Sequence, residues 1–209
     1  SSLTNDKVKL INSLHHRKYR REHNLFVAEG VRICREAAEN GWKIRYLLYD
    51  NLNVDTHVIE NLINDVLCLG ADVIGVTSEI LSKISHKENP QNVLCVIGQK
   101  WNNLPTIIKE KSFVALETVR DPGNLGTILR TMDGVGATDC ILLDECTDPF
   151  SYESVRASMG AIFNVNIIAS SSKNFLKWKS KYKISLIGTS LINATDYTKT
   201  NWQLPFVLA

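Results

Sequence analysis

The run Asp121-Pro122-Gly123-Asn124-Leu125-Gly126-Thr127-Ile128-Leu129-Arg130-Thr131 places an arginine and an asparagine where a strand, a glycine-bearing turn and a helix can deliver them to solvent. A positioned cation can stabilise an oxyanion as a hydroxyl loses its proton, so Arg130 is the first candidate for chemistry. The preceding Ser112–Glu117 reads as a buried strand, and Asp121-Pro122-Gly123 supplies residues for a sharp exit from it. Asn124 reads as the N-cap of the helix that follows. At 3.6 residues per turn Leu125, Ile128, Leu129, Met132 and Val135 share one stripe, and Arg130 points away from it. From spacing alone an ordinary solvated arginine is the default reading, since exposed arginines are the norm.

A second candidate is the basic run from His15 to His23, which gathers Arg17, Lys18, Arg20 and Arg21 around Tyr19. Phosphate contacts with stacking by Tyr19 would suit RNA, and a solvated loop between helix and strand is an equal reading. His15, His16 and His23 lack a nearby carboxylate or thiolate partner and read as polar surface, not as a metal site. Lys173, Lys177, Lys179, Lys181 and Lys183 read as decoration of an exposed helix and its loop. The five cysteines are scattered without a CxxC pair, which points to reduced thiols and no zinc.

The elements that must position these residues fit a chain of 209 residues, 44% hydrophobic and 22% charged, enough for two compact domains. A net charge of +2 is too small to mark a nucleic-acid protein by itself. No apolar run is long enough to cross a bilayer and the first residues lack a signal-peptide core, so a cytoplasmic protein is expected.

Helices are expected at 5–14, 29–40 and 56–67, with a short one capped by Ser78. Strands are expected at 24–28, 44–49, 73–76 and 93–97. This alternating unit, residues 1–98, is followed by a linker at 99–111 and a second unit at 112–209. In the second, strands at 113–118, 140–143, 164–168, 184–188 and 206–209 alternate with helices at 125–135, 152–158 and 173–179. Such alternation predicts a parallel sheet with helices on both faces. Ligands gather at the carboxyl ends of such strands, where Asp121–Asn124 and Gly188-Thr189-Ser190-Leu191 both lie. The glycines do not match G-x-G-x-x-G, so a dinucleotide fingerprint is a weak reading.

The NLGTILR run after its DPG turn, followed by Gly134–Ala137 and Cys140–Leu143, resembles motif 1 of the TrmH/SpoU family of SPOUT-class RNA ribose methyltransferases. Ser154-Val155-Arg156-Ala157-Ser158-Met159-Gly160-Ala161 resembles that family's next helix, and Asn164–Ile168 the strand after it. RREHNLFVAEGVRICREA and TSEILSKISHKENPQNVLCVI resemble the substrate-binding domain joined to many of these enzymes, a small ribosomal-protein-like α/β sandwich. The fold implied is that sandwich followed by a parallel-sheet domain of the α/β-knot type.

The activity implied is S-adenosylmethionine-dependent 2′-O-methylation of ribose in structured RNA, ribosomal before transfer RNA, by a homodimer. The resemblance gives Arg130 and Asn124 the catalytic positions, and the carboxyl-end position of Thr189, Ser190 and Leu191 makes them the expected cofactor segment. Arg17, Lys18, Tyr19, Arg20, Arg21 and Arg156 are the RNA contacts, with an ion pair as the alternative for Arg156. Leu204–Ala209 resembles the strand leading into motif 2, and the glycine-rich cofactor loop, motif 3 and knot helix have no counterpart. An apolar terminal segment would leave an unfinished sheet edge. The expectation is therefore a fragment of a longer methyltransferase with its knot region truncated. The alternative is an RNA-binding module without catalysis, as in ribosome assembly.

Overall fold

The structure, a computed structural model, describes residues 5–192 and 194–209. The first unit runs α1 (Asn5–Ser13), α2 (Arg17–His23), β1 (Leu25–Glu29), α3 (Val31–Glu39), β2 (Ile44–Asp50), α4 (Thr56–Cys68), β3 (Asp72–Val76), α5 (Ser78–Ser85) and β4 (Val93–Gly98). Its strands lie in the order β1-β4-β2-β3, with β2 and β3 parallel and the β4 pairings antiparallel. Alternation along the strands buries both faces. Phe26, Ala28, Cys95 and Ile97 pack toward α3 and α4, while Leu25, Val27, Leu94 and Val96 pack toward α1 and α5.

The second unit runs β5 (Ser112–Glu117), α6 (Pro122–Gly134), β6 (Asp139–Leu143), α7 (Tyr152–Ser158), β7 (Asn166–Ser170), α8 (Ser172–Lys181), β8 (Ser185–Ile187) and β9 (Phe206–Leu208), with 3-10 turns at Ala161–Phe163 and Tyr197–Lys199. All five strands are parallel, in the order β7-β6-β5-β9-β8. Cys140 and Leu142 face α6 and α7, whereas Ile141 and Leu143 face Phe175 and Trp178 of α8. The predicted sheet with helices on both faces is thus observed.

One core joins the two units. Phe26 and Trp42 from the first meet Phe150 and Phe163 from the second, with ring centroids 4.9 to 6.4 Å apart, and Trp42 Nε1 donates to the Phe163 carbonyl at 3.1 Å. The intervening segment is pinned as well: Asn102 N–H donates to Ile167 O at 2.8 Å, and Trp101 packs edge-on against Phe150.

Several expectations need correction. Asp121, not Asn124, caps α6, because Pro122 takes the first helical position, where its missing N–H costs nothing, and the Asp121 carboxylate accepts from Asn124 N–H at 2.6 Å. Val135 ends the α6 stripe at 75% exposure because the helix stops before it. Thr77, not Ser78, sits at the cap position of α5, and the Ser78 hydroxyl donates to Asp50 instead. The basic run is mostly a helix, α2, not a loop. The strand expected at 164–168 starts two residues later, after the 3-10 turn. Finally, β9 is no sheet edge: it pairs with β5 on one side and β8 on the other.

Candidate active site

The site begins where β5 ends. Asp121 and Pro122 start α6 at the carboxyl end of the strand, leaving Asn124 exposed in the first turn, its side chain without a hydrogen-bond partner among the described residues. Two residues on, Gly126 is buried against α7. A Cβ there would lie 2.5 Å from Ala157 Cβ and 2.8 Å from both the Ala157 carbonyl carbon and the Ser154 carbonyl oxygen, closer than real atoms approach. Glycine at this position is therefore the condition for α6 and α7 to lie as close as they do.

Helix α7 is fixed just as tightly. Ser151 accepts from Ser154 N–H at 3.1 Å as its cap, and the buried Ser154 hydroxyl donates to Asp148 O at 3.1 Å. This packing brings two candidates from separate motifs together. Arg130 on α6 and Arg156 on α7 line one cavity of about 510 Å³, with Gly123, Tyr152, Glu153 and Met159. Both arginines are exposed, and among the described residues neither forms an ion pair. The ion-pair alternative for Arg156 has no partner within ion-pair distance among the described residues, with Glu153 the carboxylate that shares its cavity. Tyr152, Glu153 and Met159 carried no signal of their own in the sequence; only the approach of α7 to α6 places them here.

The segment Gly188–Leu191 follows β8. Thr189 N–H donates to Ala209 O at 2.7 Å, its hydroxyl donates to the same oxygen at 3.2 Å, and Ala209 N–H donates back to Ile187 O at 2.9 Å. Ser190 closes a small turn, its hydroxyl accepting from Ile192 N–H at 3.1 Å. Thr189 and Ser190 line a cavity of about 500 Å³ with Ile187, Tyr197, Trp202 and Leu208, whereas Leu191 projects fully into solvent. Strand order reverses between β5 and β9, so this cavity and the start of α6 both open on the end of the sheet where parallel folds bind ligands. Aromatic and aliphatic walls beside backbone and hydroxyl groups fit an adenosine-bearing cofactor.

The basic run divides. Arg20 is 4% exposed; its Nε and Nη2 donate to Asp148 Oδ2 at 2.9 and 2.8 Å, and its Nη1 donates to Leu14 O and His15 O, each at 2.8 Å. It is a bolt between the two units and does not face RNA. Arg17 and Arg21, four residues apart on α2, line a cleft of about 380 Å³ with Trp101, Asp144 and Ser170 at the carboxyl ends of β6 and β7. Lys18 and Tyr19 are exposed, with Lys18 Nζ 5.6 Å from the Tyr19 ring centre.

The cysteines offer no nucleophile at either cavity. Burial, with a smaller contribution from Cys146, pushes the Cys140 thiol up to about 12, and burial raises Cys95 as well. All five cysteines are free.

Comparison with known proteins agrees with this architecture. The description "SpoU rRNA Methylase family" matches residues 111–209, and "MRM3-like substrate binding domain" matches residues 5–95. The crystal structure of an AdoMet-bound rRNA methyltransferase from Sinorhizobium meliloti is 37% identical, with a TM-score of 0.90 over 100% of this chain and 78% of that one. The SpoU methyltransferase AviRb from Streptomyces viridochromogenes, in complex with the cofactor AdoMet, is 25% identical, with a TM-score of 0.86 over 98% of this chain and 80% of that one. The 23S rRNA (guanosine(2553)-2′-O)-methyltransferase RlmP of Bacillus subtilis is 26% identical over 99% of this chain and 79% of its own length. With a solved relative 38% identical over 99% of the chain, the protein belongs to the SpoU/TrmH family of S-adenosylmethionine-dependent rRNA 2′-O-methyltransferases, with an MRM3-like substrate-binding domain ahead of its methylase domain.

Proposed function

We propose that this protein methylates a ribose 2′-hydroxyl of ribosomal RNA at the Arg130 cavity, and that Arg130 is the residue on which the step depends. The observation that carries this reading is the pairing of Arg130 and Arg156, two cations without ion-pair partners among the described residues, on helices held together by Gly126. S-adenosylmethionine supplies an electrophilic methyl group when bound, and Thr189 and Ser190 would hold it at the cavity beside β8. A ribose hydroxyl is a weak nucleophile until its proton leaves. The Arg130 guanidinium cannot itself take that proton, which would pass to solvent water, but it favours the oxyanion that remains. That oxygen would then take the methyl group as the sulfonium carbon–sulfur bond breaks and S-adenosylhomocysteine leaves. Arg156, on the neighbouring helix, is placed to hold the adjoining phosphate. Asn124, exposed in the first turn of α6 beside Gly123 of that cavity, would orient the same ribose through its side-chain amide.

Arg17, Lys18, Tyr19 and Arg21 form a separate RNA-contacting surface on α2. The working protein is a homodimer; exposed Leu186, Ile192, Trp202 and Leu204 near the open β8 edge supply apolar surface for it. The cytoplasm is its expected compartment, and among the described residues no helix is long and apolar enough to cross a membrane.

The test uses the chemistry of the product. The full-length protein is incubated with ribosomal RNA and methyl-labelled S-adenosylmethionine, and the RNA is then hydrolysed in alkali, a reaction that needs a free 2′-hydroxyl. Label recovered in alkali-resistant dinucleotides is the expected result. Label in mononucleotides would mean base methylation, and no label would leave an RNA-binding module.

A further inference from the structure

A second cavity, of about 630 Å³, opens between the first unit and α7. One wall is Gly30 and Arg32 at the start of α3 with Asn89 and Gln91 from the loop between α5 and β4; the other is Tyr152, Arg156 and Met159. Those last three residues also line the Arg130 cavity, so the two spaces adjoin along one wall, and together they are termed the trough.

The trough has a built frame. Glu29 is 8% exposed; its carboxylate accepts from Gln91 N–H at 2.6 Å and from Lys87 Nζ at 3.1 Å, which ties the 87–91 loop to the end of β1. Lys87 also lies 4.9 Å from the Tyr152 ring centre, so its charge is already matched and it serves as a strut across the two units. Gly30 turns the chain at φ +109°, a conformation that a side chain rarely adopts. The Glu29-Gly30 pair, silent in the sequence, thereby fixes where Arg32, Asn89 and Gln91 stand. Those three side chains are exposed, and Arg32 has no ion pair among the described residues. Along the trough there are then three guanidinium groups without an ion pair among the described residues, those of Arg32, Arg156 and Arg130, with the Glu153 carboxylate beside the last two, and two amides able both to donate and to accept.

We propose that this trough carries the RNA strand flanking the methylated nucleotide, with Arg32 on a backbone phosphate and Asn89 and Gln91 on exposed base edges. Unmatched cations suit a phosphodiester chain, and amides suit single-stranded bases whose edges are open. The inference rests on the assignment of the Arg130 cavity as the methylation site, because the shared wall is what directs the strand into it. Glu29 is a positioning residue, since it acts through the loop it holds.

The test compares Arg32→Ala with Arg35→Ala in the full-length protein. Arg35 is exposed on the same helix but does not line the trough, so it is a charge-matched control. Two quantities are measured: the dissociation constant for ribosomal RNA across a salt series, and KM and kcat for methyl transfer. Arg32→Ala is expected to weaken RNA binding roughly tenfold, as loss of one charged contact does. It should reduce the slope of log K against log salt by about 0.7 and raise KM more than it lowers kcat. Arg35→Ala should leave both unchanged. The Asn89→Ala/Gln91→Ala pair, which alters no core residue, should weaken binding without moving the salt slope. Equal effects of Arg32→Ala and Arg35→Ala would overturn the trough and leave the methylation reading standing. If the wild type binds RNA without methylating it and Arg32→Ala still selectively weakens binding, the RNA path stands and the catalytic reading falls.

Discussion

Arg20, from a basic run read as RNA-binding, and Arg130, from the wet face of an amphipathic helix, are both arginines read from the sequence as functional, and the fold treats them in opposite ways. Arg20 is folded away on Asp148, a residue 128 positions later in the chain, and fastens the substrate-binding domain to the methylase domain. Arg130 is left without an ion pair among the described residues on the rim of a cavity, on a helix whose position is dictated by Gly126. The difference is not in the arginines but in what arrives opposite each of them. A positive charge becomes structural when the fold delivers a buried carboxylate into bonding distance, and stays available when its cavity holds another cation and only an exposed carboxylate, Glu153, with which it forms no ion pair.

Breaking the structural arginine should give the largest effect. Arg20→Ala leaves the buried Asp148 carboxylate unmatched and should lower stability by about 3–5 kcal/mol, read as a lower denaturation midpoint in urea. Replacing Arg20 and Asp148 together with apolar residues of similar volume should restore much of that loss, which sharpens the distinction between a charge needed for binding and one needed for packing. Gly126→Ala comes next. Its Cβ would press on the α7 backbone, so the helices must separate, at a cost of about 1–3 kcal/mol; methyl transfer should fall further than stability because Arg130 and Arg156 move apart.

The exposed part of α2 should matter less. Replacing Arg17, Lys18 and Arg21 together with alanine should leave the thermal midpoint unchanged while weakening RNA binding and flattening its salt dependence; unchanged binding over a salt series would remove α2 from the RNA surface. The smallest effect at neutral pH belongs to Asp50. Burial pushes its pKa up, but hydrogen bonds from the Ser78 hydroxyl, the Asn53 side chain and the backbone N–H groups of Leu52 and Asn53 outweigh that and bring it from 3.8 to about 2. A carboxyl whose folded pKa is depressed stabilises the fold fully above its unfolded pKa. That contribution should drain away as pH falls from about 4 toward 2. Asp50→Asn should flatten the acid limb of the stability curve in that window.

Much of this molecule was legible from its residues, and the failures have common causes. The α6 stripe of Leu125, Leu129 and Met132, the α3 stripe of Ile33, Cys34, Ala37 and Ala38, and the parallel sheet all followed from periodicity, because burial on one face is a local pattern. The cap of α6 was misplaced by three residues because Asp and Asn are both good caps, and Pro122 decides between them by favouring the first helical turn. The burial of Arg20 was invisible because Asp148 belongs to another domain. The pairing of Arg130 with Arg156 was equally hidden, since it depends on a missing Cβ at Gly126 and not on any charged residue. The Glu29-Gly30 pair shows the same limit: its carboxylate acts on a loop some 60 residues away, through Gln91. Local rules read elements; sites are made by contacts between them.

The most direct test of the central claim is the single-turnover rate of methyl transfer by Arg130→Ala beside the wild type, at saturating ribosomal RNA and S-adenosylmethionine, with RNA binding and thermal midpoint measured on the same preparations. Loss of about 10²–10³-fold in rate with binding and stability little changed is the predicted result, the scale expected when one charge-stabilising group is removed from a reacting oxygen. A rate within a few-fold of wild type would contradict it and return Arg130 to the ordinary solvated arginines.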